Sequence, residues 1–338
     1  MNRQRPGIGR VTAAIVAVAA MLPYLTLKLL WLTGNSTGVT DPGLMDDPAM
    51  VGLNAMTFGM DAVALVLALA FTMRWGSRLP AWLVLLPLWV GTGLLSVVVV
   101  AAPVVLVSAG PDVFTGPIEP WVYVMVYGGF AGQGIGLMAA FVLYARDRWP
   151  AVFTTAADAP FPSPTRPFQT VVAVGALMVC VVLGGVRLVW AFGGDLAAGL
   201  QNGLKGLLTL AGAVALVAIV RRRARGPFRR PLALAWLGSG VLFGWGLYAM
   251  IVRSAGGPLA AGGGGAADLV ELFGLLTGLV MGLSGAFLLT ERSAGLAAGP
   301  GGRLAAGRSG VGDVQPAQEP LERDHRERDR RAADHGHR

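Results

Sequence analysis

Eight long apolar runs dominate this 338-residue chain and leave it few possible folds. A helix of about 20 apolar residues crosses the hydrocarbon core of a bilayer, which is roughly 30 Å thick, and each run approaches that length. The sequence therefore predicts an all-α polytopic membrane protein. We expect its eight transmembrane helices near residues 11–33, 51–73, 81–107, 121–145, 169–192, 203–220, 231–252 and 269–290.

Composition agrees with a membrane location. The chain is 54% hydrophobic and only 14% charged, whereas soluble domains have about 45–50% apolar and 25% charged residues. The net charge of +8 does not indicate nucleic-acid binding, because the arginines lie in short loops and no folded basic domain carries them. The preference for Arg over Lys, with abundant Ala and Gly, is typical of a GC-rich bacterial genome. We predict the cytoplasmic (inner) membrane of a bacterium.

Two glycine stripes at spacing four indicate an internal duplication. The segment 128–146, GGFAGQGIGLMAAFVLYAR, matches 274–292, GLLTGLVMGLSGAFLLTER, without a gap at eight of nineteen positions. Small residues four apart form a smooth helix face that allows two backbones to approach closely in lipid. We predict that the stripes pack helices, and our hypothesis is that they pack on each other. Their glycines are Gly128, Gly132 and Gly136 in the first copy and Gly274, Gly278 and Gly282 in the second.

Further matches extend the duplication over both halves. Trp89-Val-Gly-Thr-Gly93 in the third span corresponds to Trp236-Leu-Gly-Ser-Gly240 in the seventh, and residues 62–66 are identical to 213–217. Each half then contains four spans, and because four is even both halves enter the membrane from the same side. The prediction is two parallel four-helix repeats about an axis along the membrane normal.

The loops divide the chain and orient it. We predict an N-terminal segment 1–10, a first repeat 11–146, a Pro-rich linker 147–168, a second repeat 169–292 and a disordered tail 293–338 that is rich in Gly and then in charge. Arginines concentrate in the loops of one side and acidic residues in those of the other. The positive-inside rule therefore places both termini and the linker in the cytoplasm.

A short motif closes the first span. Lys28-Leu-Leu-Trp31, with Gly34 after it, returns as Arg187-Leu-Val-Trp190 with Gly193. The pattern of a basic residue, Leu, any residue, Trp and then Gly is similar to that of uncharacterised multi-pass integral membrane proteins of high-GC bacteria. This resemblance implies a multi-pass membrane protein and brings no activity with it.

Lys28 and Arg187 have two interpretations. Each is one turn before a tryptophan and near a helix end. A long cationic side chain there can extend to the lipid headgroups while the tryptophan lies in the aromatic belt. Alternatively, both cations face inward and bind an anionic substrate or headgroup, as intramembrane cations do when they are functional.

Asp61 is the residue of the first half whose position inside the membrane costs the most free energy. It lies about ten residues inside the second span, where an aspartate costs roughly 2.5–3.5 kcal/mol on insertion scales. Asn54 lies seven positions earlier and so on the same face. Asp61 either fixes helix packing, neutral or paired with a neighbour, or is a proton or cation site in a path through the first half.

Other polar residues favour structural roles. Gln133, Thr92 and Ser239 are expected to form interhelical hydrogen bonds. Asp268 and Glu271 have the spacing of a capping box at the start of the eighth span. Asp47-Pro48 and Glu119-Pro120 are helix-start signals for the second and fourth spans.

No motif of an enzyme or of a metal or cofactor site was found. The chain has no Walker motif, no HExxH and no nucleophile elbow. Cys180 is the single cysteine, and all three histidines, His325, His335 and His337, lie in the tail. The usual ligands for haem, zinc or copper are therefore missing from the membrane part, and we expect neither a cofactor nor enzymatic activity.

Two classes of function remain from the sequence. The first is a permease-like or transport-associated protein with a polar site between the two repeats, lined by Lys28, Asn54, Asp61 and Arg187. The second is a non-transporting sensor, scaffold or anchor, in which the basic run from Arg221 to Arg230 meets anionic lipid or a cytoplasmic protein.

Overall fold

A computed structural model describes residues 7–110, 116–160, 163–256 and 264–298. Within these ranges eight helices are long and apolar enough to cross a membrane. They are α1 (Ile8–Leu32), α2 (Pro48–Thr72), α3 (Ala81–Ala109), α4 (Pro120–Arg148), α6 (Arg166–Trp190), α7 (Leu196–Val220), α8 (Arg229–Ala255) and α9 (Gly265–Ala298), and α5 (Pro150–Thr154) is a short helix of the linker. The prediction of an all-α chain with eight helices long and apolar enough to span a membrane is thus confirmed for the described residues.

Local signals set several helix starts. Asp47 accepts a hydrogen bond from the backbone of Ala49 at 2.7 Å, with Pro48 at the first helical position. Pro120 likewise opens α4, although the Glu119 side chain makes no cap bond. Asp195 caps α7 by accepting from Ala198 N at 2.7 Å. Helix α7 therefore begins seven residues earlier than the expected residue 203, because the cap and not the apolar run sets its start.

The two ends of the chain can be compared with the predicted segments only in part. Helix α9 continues to Ala298, six residues into the predicted tail. Residues 1–6 and 299–338, which include the rest of that tail and the three histidines, lie outside the described residues. In the linker, α5 is followed by an isolated bridge between Ala156 and Pro227, so this segment is hydrogen-bonded to the loop between α7 and α8.

The helices pack in two groups, α1–α4 and α6–α9, and the groups meet where α3 packs on α8. Helix α1 packs on α4 and α2, and α4 packs on α3. Helix α7 lies between α6 and α8, and α8 packs on α3. Helix α9 contacts α6 at Cys180 and Met281, whose sulfur atoms are 3.7 Å apart. The core of the bundle consists largely of small side chains with Leu, Met and Phe between them.

The glycine stripes do not pack on each other, contrary to our hypothesis. A Cβ atom at Gly136 would lie 2.7 Å from the backbone nitrogen of Ala17 in α1, so the stripe of α4 faces α1. A Cβ atom at Gly278 would lie 2.8 Å from the Ser239 carbonyl of α8, so the stripe of α9 faces α8. Gly128 has no atom within 4 Å of such a Cβ, and Gly274 has only ordinary contacts. Gly132 lies against Ala20 and Gly282 against the Trp89 ring.

A different glycine pair lies where the two groups meet. A Cβ atom at Gly93 of α3 would be 2.2 Å from the backbone of Gly240 in α8, so the two helices touch there through their backbones. Trp89 Nε1 donates to Ser239 Oγ at 3.0 Å, and Trp236 Nε1 donates to Thr92 Oγ1 at 2.9 Å. The two corresponding motifs thus bind each other reciprocally, and the expected interhelical hydrogen bonds of Thr92 and Ser239 are present.

The ends of the bundle differ in charge. At one end, Arg10 pairs with Asp147 at 2.9 Å, and Arg148 donates to the carbonyls of Gly76 and Leu79. Arg166 donates to the carbonyls of Val220 and Arg221 at 3.2 Å, at that same end. We call this the arginine end. The opposite end contains Asp41, Asp47, Glu119 and Asp195, and its first two loops join through the bridge of Val39 and Ile118.

The contact of Gly136 gives a first testable prediction. In Gly136→Ala the added methyl must displace the backbone of α1, which we expect to cost about 1–3 kcal/mol of the free energy of unfolding. Gly128→Ala, two turns earlier in the same helix, meets open space and should leave stability unchanged or raise it by up to ~1 kcal/mol. Thermal unfolding in a mild detergent measures both. Equal midpoints for the two variants would contradict the assigned contact.

Candidate functional site

Lys28 is buried inside the bundle. Only 4% of its surface is exposed. Its Nζ donates to Asn54 Oδ1 at 3.4 Å and to Thr57 Oγ1, both on α2, and lies 4.9 Å from the centroid of the Tyr24 ring. Lys28 therefore faces inward and does not extend to the headgroups, whereas its binding of an anion stays a prediction.

Asn54 and Thr57 are held in place for this contact. The Asn54 amide nitrogen is 3.5 Å from the sulfur of Met45, which directs the amide oxygen toward Lys28. Thr57 Oγ1 lies 2.9 Å from the Leu53 carbonyl one turn earlier. The ammonium group of Lys28 thus has oxygen and aromatic partners but no carboxylate in direct contact.

Asp61 lies two turns further along α2 from Asn54 and is 3% exposed. Its Oδ1 accepts a hydrogen bond from Gln133 Nε2 of α4 at 3.3 Å. Asp61 Oδ2 and Gln133 Oε1 are both buried and have no hydrogen-bond partner. Lys28 is close enough to interact electrostatically with Asp61, but the two form no ion pair within 4.0 Å. The expected interhelical hydrogen bond of Gln133 is therefore made to Asp61.

Close helix packing brings these groups together. Gly129 and Gly132 of α4 face Ala20 of α1, where a side chain at either position would collide with α1. Gln133 follows this contact directly and points to α2, which packs on α1 as well. We refer to Tyr24, Lys28, Asn54, Thr57, Asp61 and Gln133 as the Lys28–Asp61 cluster.

Arg187 belongs to a second buried cluster. It is 5% exposed, donates from Nη1 to Asn202 Oδ1 of α7 at 3.1 Å, and pairs through Nη2 with Glu271 Oε1 of α9 at 2.7 Å. Lys205 of α7 is also buried, with its Nζ 3.7 Å from the centroid of the Trp245 ring. We refer to Arg187, Asn202, Lys205, Trp245 and Glu271 as the Arg187–Glu271 cluster.

The four residues predicted to line one site therefore lie in two places. Lys28, Asn54 and Asp61 are together, whereas the described contacts of Arg187 are all within α6, α7 and α9. The clusters also differ in charge. The Lys28–Asp61 cluster holds one cation and one carboxylate, and the Arg187–Glu271 cluster holds two cations and one carboxylate.

Sequence reasoning missed part of the second cluster. The capping-box interpretation of Glu271 is wrong, since α9 begins at Gly265 and Glu271 binds Arg187 instead. Asp268 of α9 pairs instead with Arg253 of α8. A signal for Lys205 did exist, because the match of 62–66 with 213–217 aligns Lys205 with Asn54. Both residues lie one helix away from the cation of their own half.

A basic groove opens at the arginine end. It has a volume of about 450 Å³ and is lined by Arg166, Pro167 and Thr170 of α6 and by Arg221 and Arg223 after α7. The Arg166 guanidinium is fixed by its two bonds to backbone carbonyls. The groove therefore presents three cationic side chains at the end of the bundle.

No protein-family model matches this chain, and no curated protein and no solved structure matches it either. The residues and their geometry are thus the basis for any functional conclusion.

Proposed function

We propose that this chain is a permease-like integral membrane protein that moves a polar or charged solute past the buried cations and carboxylates of its two clusters. The observation that carries the proposal is the position of the ionisable side chains of both clusters inside helices long and apolar enough to span a membrane. Lys28, Asp61, Arg187 and Lys205 are buried there, and Glu271 is half-buried.

The energetic cost of these groups supports a role beyond packing. A charged residue near the middle of a span, as Asp61 and Lys205 are, costs roughly 2.5–3.5 kcal/mol on insertion scales, and apolar side chains of similar size would pack without that cost. Ionisable groups that face a bundle interior mark solute, ion or proton pathways in membrane proteins. Lys28, Asn54 and Asp61 would contact the solute in the first half, and Arg187 would do so in the second.

The bundle plan is the second support. We propose that α1–α4 and α6–α9 are two parallel repeats, with the arginine end and both termini in the cytoplasm of a bacterium. The reciprocal bonds of Trp89 with Ser239 and of Trp236 with Thr92 are those expected of two equivalent surfaces meeting at a twofold axis. Parallel repeats that meet at such an axis are a common transporter plan, an argument by analogy of fold.

Water access to Asp61 tests this function. In a Cys180→Ser background we would place a cysteine at position 61 and treat intact cells with a small membrane-impermeant thiol reagent. Position 46, at an exposed aspartate, is the accessible control, and position 68, at an alanine that is 1% exposed, is the buried one. We expect labelling at 61 to approach that at 46, because a solute path must admit water to the Lys28–Asp61 cluster.

Labelling at 61 no greater than at 68 in a correctly inserted variant, from either side of the membrane in inverted and right-side-out vesicles, would overturn the proposal. It would favour the second candidate function, a non-transporting sensor, scaffold or anchor. The observation on that side is the groove of Arg166, Arg221 and Arg223, whose charge suits an anionic lipid or an acidic protein segment at the arginine end.

A further inference from the structure

Two oxygen atoms in the Lys28–Asp61 cluster lack a donor. Asp61 Oδ2 and Gln133 Oε1 are buried, belong to side chains already joined by one hydrogen bond, and accept nothing from the rest of the described chain. A buried acceptor left without a partner is destabilising, because it has lost its hydrogen bonds to water and gained none. Each of the two side chains thus has one oxygen atom that no donor of the described residues reaches.

One proton removes both deficits. An ionised carboxylate only accepts hydrogen bonds, whereas a neutral carboxyl group also donates one. A proton on Oδ2 makes that atom a donor, and we assign Gln133 Oε1 as its acceptor because Gln133 Nε2 already bonds to the other oxygen of the same carboxyl group. Turning the Gln133 amide over does not help the ionised form. Gln133 Oε1 would then face Asp61 Oδ1, so that two acceptors would lie opposite each other.

We propose that Asp61 and Gln133 form a proton-binding site in which the carboxyl group of Asp61 takes up one proton and releases it again. The inference rests on the proposed permease-like function, to which it adds the ion that is coupled to solute movement. The uptake forms the O–H bond at Oδ2 with a proton from water, and the release returns it.

The surrounding charges favour a proton over a metal cation. Lys28 and Tyr24 face Asp61 from α1, Gln133 faces it from α4, and α3 carries no ionisable side chain. Tyr127 of α4 and Tyr248 of α8 interact electrostatically with Tyr24. Hard cations such as Ca²⁺ take six or more oxygen ligands, and the ammonium group of Lys28 opposes them here. Lys28 instead balances the carboxylate once the proton has left.

Infrared difference spectroscopy of the purified full chain in liposomes tests the site without knowledge of the solute. Lowering the pH should produce the C=O stretching band of a protonated carboxyl group, which Asp61→Asn should abolish. Gln133→Leu should retain the band and shift it to higher wavenumber, because the carboxyl group loses its hydrogen-bond partner. Asp46→Asn, at an exposed carboxylate, is the matched control and should leave this band in place.

Two results would overturn the proton site. One is a parent spectrum and an Asp61→Asn spectrum with the same carboxyl bands at every pH. The other is a Gln133→Leu band at the parent wavenumber, a test that remains available if Asp61→Asn does not fold. Thiol labelling at position 61 without the infrared band would support the water path to Asp61 but contradict the proton site. The infrared band without thiol labelling would support the proton site but contradict the water path and with it the proposed function.

Discussion

Replacing Glu271 with alanine is expected to lower the free energy of unfolding by about 3–5 kcal/mol, the cost of leaving a buried charge without its partner. Glu271 is the single carboxylate of the Arg187–Glu271 cluster, and its Oε1 is 2.7 Å from Arg187 Nη2. Its removal raises the formal charge of the cluster from +1 to +2, since Lys205 remains beside Arg187. Thermal unfolding in detergent, combined with the yield of monodisperse protein, measures the effect.

Two comparisons separate the ion pair from a general loss of packing. Asp268→Ala removes the acid of the more exposed pair with Arg253 in the same helix, and such a pair contributes at most ~1 kcal/mol. The double variant Arg187→Met with Glu271→Met restores the formal charge of +1 and should recover most of the lost stability. If Glu271→Ala unfolded at the same temperature as Asp268→Ala, the buried pair would not have the stabilising role assigned to it.

Gly93→Leu is the second change with a large expected effect. Its Cβ would lie 2.2 Å from the Gly240 backbone, so α3 and α8 must separate before the side chain fits. The separation also breaks the bonds of Trp89 with Ser239 and of Trp236 with Thr92. We expect a loss of at least ~3 kcal/mol, at the upper end of overpacking effects, because backbone cannot rotate away as a side chain can.

Gly91→Leu is the matched control, two residues away in the same motif. A Cβ at Gly91 has no atom within 4 Å, so a side chain there starts in open space and does not require α3 and α8 to separate. We expect its unfolding temperature to match the parent, within the ±0.5 kcal/mol that is usual for substitutions away from packed features. Similar behaviour of the two leucine variants in detergent would refute the Gly93–Gly240 contact.

The fold could be predicted from the sequence because apolar length depends on the chain alone. The eight spans need only enough apolar residues to cross a bilayer, and the described helices begin and end near the expected positions. The start of α7 was an exception, since the cap at Asp195 lies in a weakly apolar stretch. The partners of the glycine stripes could not be predicted, because small residues indicate that a helix approaches closely without indicating which helix.

Four residues of the two clusters could be identified from the sequence, but their grouping could not. Lys28, Asn54 and Asp61 could be identified because polar groups inside apolar spans are costly wherever they point. Their separation from Arg187 depends on which helices are neighbours, and this information is absent from a single span. Glu271 was misassigned because a local capping pattern and a distant arginine compete for the same carboxylate, and only tertiary packing decides between them.

The contact of Gly93 with Gly240 is the point about which the two groups of helices would pivot. Two groups of helices that tilt against each other move least where their backbones touch and most at their far ends. A small rocking angle at α3 and α8 would therefore open one end of the bundle as it closes the other.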